Sequence, residues 1–573
     1  MGQPIEQYLD RNVLVREAEK SVAKGLPKEL SWLNWGLLPQ VRWVDTGEPV
    51  TTCVLQWILA QAVKQKSPEP NAVLRKYCTL FAPRDREALG QFLLESWLSE
   101  DTRPIPQEVA LERAEASATW TFNHMRANPT WYTNSPDTGK TVEELTARLL
   151  PALLRQAAGS AINSKGLLAV VAACAGADAA APVARYLKEY YGTRAAQGKA
   201  LIAMLAWIDH PETIQLMLSV GNRFRTKSFQ EEALRQAQAL AERKNWTLSE
   251  LADRTIPAAG FDDSGILELN YGGRVFVARV QPSLQIGLFS PEGKTLKALP
   301  APRQSDDAEL VKEAKKAFTS AKKSLKGIVD QQTERLYEAL CTGREWSFAD
   351  WNTCLNHHPI VRHLVQRLIW VHIENNQVKA SFRPLDDGTL TGHDDNEICL
   401  PPTARIRLAH DLLMPGEAGQ WGQHMLDYEV NPLFPQLGKH PYVVPPEKAD
   451  SLSLEDFKGY LIETFSLRSR ALKQGYTRGP VEDGGWFSTY EKSFITLGLV
   501  AVIEFTGNPV PEENRTAALL SLSFARAGDY WTRSQICLKD VPPILLSECY
   551  EDMRLMAGEG AGYAEDWEKK SEY

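Results

Sequence analysis

The groups best suited to acid–base chemistry fall in one stretch, IRLAHDLLMPGEAGQWGQHMLDYEVNPLFPQLGK, residues 406–439. His410-Asp411 follows an alternating, strand-like run, and His424 stands three residues before Asp427 on a predicted helix. That spacing puts an imidazole and a carboxylate on one helix face, where the pair could act as a general base. Glu429 and Gln436 could come near the pair. The same groups could instead satisfy backbone at the helix ends and anchor the NPLFPQLG turn, and no nucleophile accompanies them. Arg478 in GYTRGP, followed by Asp483-Gly484-Gly485, adds a candidate ligand-binding arginine on a loop that reads as a long turn or a lid. A cleft joining His410, His424, Asp427 and Arg478 would make the protein a small-ligand sensor or an enzyme.

A second histidine cluster lies in HHPIVRHLVQRLIW, residues 357–370. His358 and His363 are five apart and His357 and His363 six apart, so no two rings align as in HExxH. Pro359 suits a first helical position, and Ile360, Val361, Leu364, Val365, Leu368 and Ile369 form a broad apolar side. His363, with Arg362, Gln366 and Arg367, is expected on or near the polar side. The segment reads as a packed helix feeding a hairpin that turns at Glu374-Asn375-Asn376, not as a metal site. GHDDNE, residues 392–397, lacks EF-hand spacing and reads as an exposed acidic loop. The eight cysteines include no CxxC pair, so they are expected as buried free thiols in a reducing compartment. No phosphate-binding or nucleophile-elbow motif stands in a suitable context, and no cofactor is expected.

Basic chemistry concentrates in DDAELVKEAKKAFTSAKKSLKGIVDQQTERLYEAL. Ala314, Phe318, Ala321, Leu325, Ile328, Gln332 and Leu336 recur at four- and three-residue steps, predicting one long packed helix. Lys312, Lys315, Lys316, Lys322, Lys323 and Lys326 are then either a phosphate-facing ridge or a solvated face flanked by acidic residues.

These groups need elements to hold them. Residues 1–140 read as a helical region, rich in tryptophan over 1–60 (Trp32, Trp35, Trp43), with helices over 51–63 and 84–99, the second carrying a stripe of Leu89, Phe92, Leu93 and Trp97 that reads as core. Over 141–255, short helices recur at an interval of about thirty residues, which suits HEAT-like stacked pairs. After Arg254 the hydrophobic period shortens to two, and Tyr271-Gly272-Gly273 marks a hairpin. The expected fold is multidomain: a mainly α N-terminal half with HEAT-like helical pairs, then an α+β domain over 256–573. The chain has 573 residues and a formal net charge of −8, which argues against a protein built mainly to coat nucleic acid. Its first residues lack the apolar core of a signal peptide, and no apolar run reaches membrane-spanning length. A cytoplasmic protein without membrane association is expected.

Residues 250–440 resemble the bacterial MolR-like family, named for a molybdate-metabolism regulator. The resemblance is carried by LADRTIPAAGFDDSGILELNYGGRVFVARV, the lysine-rich helix ending in QQTERLYEAL, REWSFADWNTCLNHHPIVRHLVQRLIW, IRLAHDLLM and WGQHMLDYEVNPLFPQLGK. FKGYLIETFSLRSRALKQGYTRG looks like its continuation, and the helical array looks like what commonly precedes it. The family has no established catalytic residues to transfer. Some relatives carry a nucleic-acid-associated WGR domain, which is not evident here. Relatives occur beside MoxR-type ATPases, so the resemblance implies a protein partner, with such an ATPase as the example. The expectation is a non-catalytic regulatory or scaffold protein. A ligand sensor or enzyme and a nucleic-acid-associated regulator are the alternatives.

Overall fold

The computed structural model describes residues 11–22, 25–133, 135–154, 156–190, 192–223, 227–482, 484–528 and 533–571. The chain divides into two compact units, Met1–Ile256 and Pro257–Tyr573. The first is helical and the second mixes helices with three antiparallel sheets, so the mainly α half followed by an α+β domain is the observed class.

In the helical unit the segment LLAVVAAC forms the helix Leu167–Cys174, apolar on every side. Such a helix needs neighbours all round. It finds them in Thr52–Lys64, Ala72–Cys78 and Pro83–Asp101 from the first 140 residues, and in Ala195–Leu205 from beyond. Gly166 permits the approach, since a Cβ there would stand 2.2 Å from the Ala62 carbonyl oxygen. Residues 1–140 and 141–255 therefore share one hydrophobic core, and the division drawn at 140/141 from the sequence is not a break in packing. Other helices pack in pairs, Gln107–Ala127 with Val142–Leu154 and Pro211–Arg223 with Lys227–Lys244. Trp43 is buried in the core, with Trp32 and Trp35 partly buried against it.

The second unit opens with a four-stranded sheet of Ile266–Asn270, Val275–Val280, Ile286–Phe289 and Thr295–Leu296, in chain order. The helix Ala308–Thr342 follows. Asp307 caps its start by accepting from the Glu309 and Leu310 amides, and Gly343 ends it in the left-handed conformation. All seven stripe residues from Ala314 to Leu336 are buried. They pack this helix against the first sheet and against the helix Pro543–Gly558.

A five-stranded sheet has the order Trp346–Ser347, Arg405–Leu408, Trp370–Glu374, Gln377–Pro384, Leu390–Thr391. The third sheet is built on the long strands Trp486–Phe494, Leu499–Pro509 and Thr516–Arg526. The helix Pro543–Gly558 packs on the last of these.

The stretch 357–370 is not one helix. A single four-residue helix, Arg362–Val365, stands between turns, and the strand starts at Trp370. His358 holds the turn before that helix by accepting the Ile360 and Val361 amides on Nδ1, each at 3.1 Å. This short helix is packed on the side of His363, Leu364 and Val365, so His363 is buried where the sequence placed it on or near the polar side, while Arg362 stays half-buried. Among the described residues no helix is long and apolar enough to cross a membrane.

Candidate functional site

His410 follows the strand Arg405–Leu408 into the interior of the second unit. Its Nδ1 accepts the Leu412 amide at 3.1 Å, so the ring proton sits on Nε2, 3.3 Å from Glu548 Oε1. The Lys439 ammonium donates to the same oxygen at 2.6 Å, and the Tyr337 hydroxyl donates to Oε2 at 3.0 Å. Asp411 places Lys439 by accepting the Gly438 and Lys439 amides at 3.0 and 2.9 Å. Burial alone would raise the Glu548 carboxyl, but the His410 ring and the Lys439 ammonium overcome it and hold it at about 2. A carboxylate so firmly ionised and so fully bonded is a poor proton acceptor at neutral pH. The cluster is a clasp joining three parts of the domain.

His424, on the helix Ala418–Asp427, is also buried. Its Nε2 accepts from Arg383 Nε at 3.2 Å, and its Nδ1 faces Asp395 Oδ1 at 3.3 Å. Tyr428 donates to that same carboxylate oxygen at 3.0 Å. Burial, reinforced by the Arg383 charge, lowers the His424 pKa, so the ring is neutral with its proton on Nδ1. Asp427 does not join it. It is exposed and accepts from Gln423 at 2.7 Å, because the packed side of this helix takes in Trp421, His424 and Met425 only.

Arg478 lies in the third sheet, on Thr477–Arg478, with Glu512 at 3.4 Å and the Phe487 ring beneath it. His410, His424 and Arg478 thus have separate partners rather than one shared cleft. Asp483, from the proposed lid, lies outside the described residues. The acidic loop serves His424 through Asp395, and Asp394 accepts from the Asn396 side chain at 2.6 Å. Among the described residues no group of three or more His, Cys, Asp or Glu is placed to hold a metal.

Between the two histidines the chain turns through Leu412–Glu417 and borders an open groove of about 590 Å³. Ser381, His393 and Glu417 line it, beside Asn376, Gln377 and Lys379 from the hairpin. Ser381 Oγ donates to Glu417 at 3.0 Å and accepts from the buried Trp421 indole at 3.1 Å. Such a groove can hold a small polar ligand. Sequence spacing gave no sign of it, since the three residues come from a strand, a loop and a turn.

On the helix Ala308–Thr342 all six lysines, Lys312, Lys315, Lys316, Lys322, Lys323 and Lys326, are exposed. In the helical unit, the helix Gln107–Ala127 buries only a narrow alanine stripe, Ala110, Ala114 and Ala118. Its far end carries an aromatic cluster. The His124 ring stacks on Trp120 at 4.9 Å, lies 5.9 Å from Trp131, and holds the Tyr132 hydroxyl 2.8 Å from Nδ1. Trp120 is 63% exposed and Trp131 75%. The sequence reading passed over this cluster, although NHMRANPTWY shows a helix halted at Asn-Pro with two aromatics just beyond.

A family model described as a domain of unknown function (DUF4132) matches residues 293–476. The chain is also 30% identical over 280 residues to the "Uncharacterized protein YehI" of Escherichia coli (strain K12). That match takes in 48% of this chain and 22% of the relative, so the chain spans about a fifth of the relative's length. No solved structure matches.

Proposed function

We propose that this is a non-catalytic, partner-binding protein of the cytoplasm, regulatory or scaffolding in role, whose helical unit carries the recognition surface. The exposed cluster of Trp120, His124, Trp131 and Tyr132 carries this reading. Scattered apolar side chains are normal on a surface, but two tryptophans this open and assembled round a histidine are not. Tryptophan and tyrosine, with arginine, are enriched among the few residues that carry most of the binding energy at protein interfaces. The acid–base groups support the same reading from the other side, because His410 and His424 are buried and their ring nitrogens are committed. The MolR-like resemblance belongs to this proposal, and with it a MoxR-type ATPase as the first partner to test.

The experiment is affinity capture on the full chain from cytoplasmic extract at low and high salt, followed by titration of the purified captured protein. The parent is expected to bind it stoichiometrically, and a Trp120→Ala/Trp131→Ala variant at least tenfold more weakly. Equal binding by the two would remove the aromatic cluster from the interface and overturn the proposal.

The groove beside Ser381 favours a second reading, a sensor of a small polar ligand. A metabolite that raises the melting temperature of the parent but not of a Ser381→Ala variant would support it over the first.

A further inference from the structure

We infer that the lysine face of the helix Ala308–Thr342 binds the phosphate backbone of double-stranded nucleic acid without reading its sequence. This surface is independent of the aromatic cluster. At 3.6 residues per turn, Lys312, Lys315, Lys316, Lys322, Lys323 and Lys326 fall within an arc of roughly 120°. At 1.5 Å per residue they extend over about 21 Å of helix axis. The opposite side is fixed by burial of Ala314, Phe318, Ala321, Leu325 and Ile328, so the arc cannot rotate away from solvent. The result is six like charges on one rigid, convex rod. Lys312 lies 3.9 Å from Glu309, with both side chains some four-fifths exposed, so water screens that pair. Asp330 and Glu334 continue the same face beyond Lys326 and bound the patch at that end.

Like charges held this close repel one another, and a polyanion relieves that repulsion by exchanging its condensed counterions for the lysines. The residue types choose among polyanions. Among the described residues no large apolar side chain is exposed along this helix, which removes the insertion a membrane surface requires. All six cations are lysines, point charges without the planar fork that pairs carboxylates two-pronged, which disfavours an acidic protein segment. Thr319 lies among them, no arginine or asparagine is present there to read bases, and the Phe318 ring, 4.4 Å from the Lys322 ammonium, is buried. Evenly spread phosphates on a rigid duplex are the complement to such a ridge.

The test is fluorescence anisotropy of the full chain with a labelled 24-base-pair duplex of mixed sequence, from 50 to 200 mM salt. Six phosphate contacts predict a slope of about −5 in log K against log salt, and roughly a thousandfold loss of affinity over that range. A second duplex of unrelated sequence is expected to bind within twofold of the first. The Lys315→Glu/Lys322→Glu/Lys323→Glu/Lys326→Glu variant, its helix content checked by circular dichroism, should bind at least thirtyfold more weakly. A control reversing Lys20, Lys76, Lys188 and Lys199 to glutamate should stay within threefold. No binding at 50 mM salt, or equal loss in the two variants, overturns the inference. Tighter binding of polyglutamate or of anionic vesicles than of the duplex also overturns it, and assigns the face to those partners instead.

Discussion

The Asp101 carboxylate and the Arg194 guanidinium meet at 2.8 Å inside the helical unit, with the Asp101 side chain wholly buried. Asp101 ends the helix Pro83–Asp101 and also accepts the Ala161 amide at 2.8 Å and the Tyr186 hydroxyl at 2.6 Å. Arg194 turns its other nitrogen to the carbonyls of Ala157 and Gly159, each at 3.0 Å. Burial first, then the adjacent carboxylate, pushes the Tyr186 hydroxyl far above its usual range, so it remains a donor. One carboxylate thereby ties a helix end, a loop and two later helices together.

Replacing Asp101 by Asn should be costly. It removes the charge opposite a guanidinium that is largely shielded from water and leaves its desolvation uncompensated. The expected loss is about 3–5 kcal/mol, the usual result of breaking one side of a buried pair. Urea unfolding followed by circular dichroism at 222 nm measures it. A loss below about 1 kcal/mol would mean that the pair is not what fastens the loop.

Glu548 makes a pH-dependent prediction. Its carboxyl is held at about 2 in the folded chain, below the ordinary value of 4.5. The unfolded state therefore binds the proton more readily. The stabilisation is complete above about pH 4.5 and is lost as pH falls from there through 2. The shift corresponds to about 3 kcal/mol. Glu548→Gln should flatten this part of the stability–pH curve and, at pH 7, lower the unfolding midpoint by leaving Lys439 without its carboxylate. An acid limb of equal size in the variant would assign it to other carboxylates.

What could be read in advance was whatever is encoded locally. The stripe from Ala314 to Leu336 states its own helix, and every one of its residues is buried. The turn at Asn375-Asn376 likewise states its own hairpin. The clasp at Glu548 was not legible, because His410 and Glu548 are 138 residues apart and no spacing rule links them. The helix Leu167–Cys174 shows a different limit. Being apolar on all sides, it gives no direction, and so no hint that its neighbours include helices from the first 140 residues. Ser381 and Glu417 meet only because a strand and a turn from distant parts of one domain come together.

The hairpin can be tested directly. Asn375 and Asn376 have φ angles of 51° and 60°, the left-handed pair that a two-residue turn between Glu374 and Gln377 needs. Asparagine tolerates this conformation and a β-branched residue does not. Asn376→Val should cost about 1–2 kcal/mol, and Asn376→Gly should be neutral or mildly stabilising. Thermal melts of the two variants beside the parent distinguish the cases. Equal melting temperatures for the valine and glycine variants would refute the assignment of the turn.

His363 should set how stability falls in mild acid. Burial, followed by the neighbouring Arg362 charge, lowers its pKa to about 4, while Asp386 and Gln366 oppose the shift. In the unfolded chain the ring titrates near 6.5, so between those values the unfolded state takes up a proton that the folded state refuses. Stability is therefore full above about pH 6.5 and declines as pH falls towards 4, by at most about 3 kcal/mol. His424 is shifted in the same direction by burial and by Arg383, so it adds to the same limb. His363→Leu should shrink the difference in urea midpoint between pH 7 and pH 5 without abolishing it, since His424 remains. The further variant His424→Gln in that background tests the remainder. If the pH 7 to pH 5 difference is unchanged in His363→Leu, the ring is protonated in the folded chain, and its burial would have to be compensated by a partner that accepts a hydrogen bond.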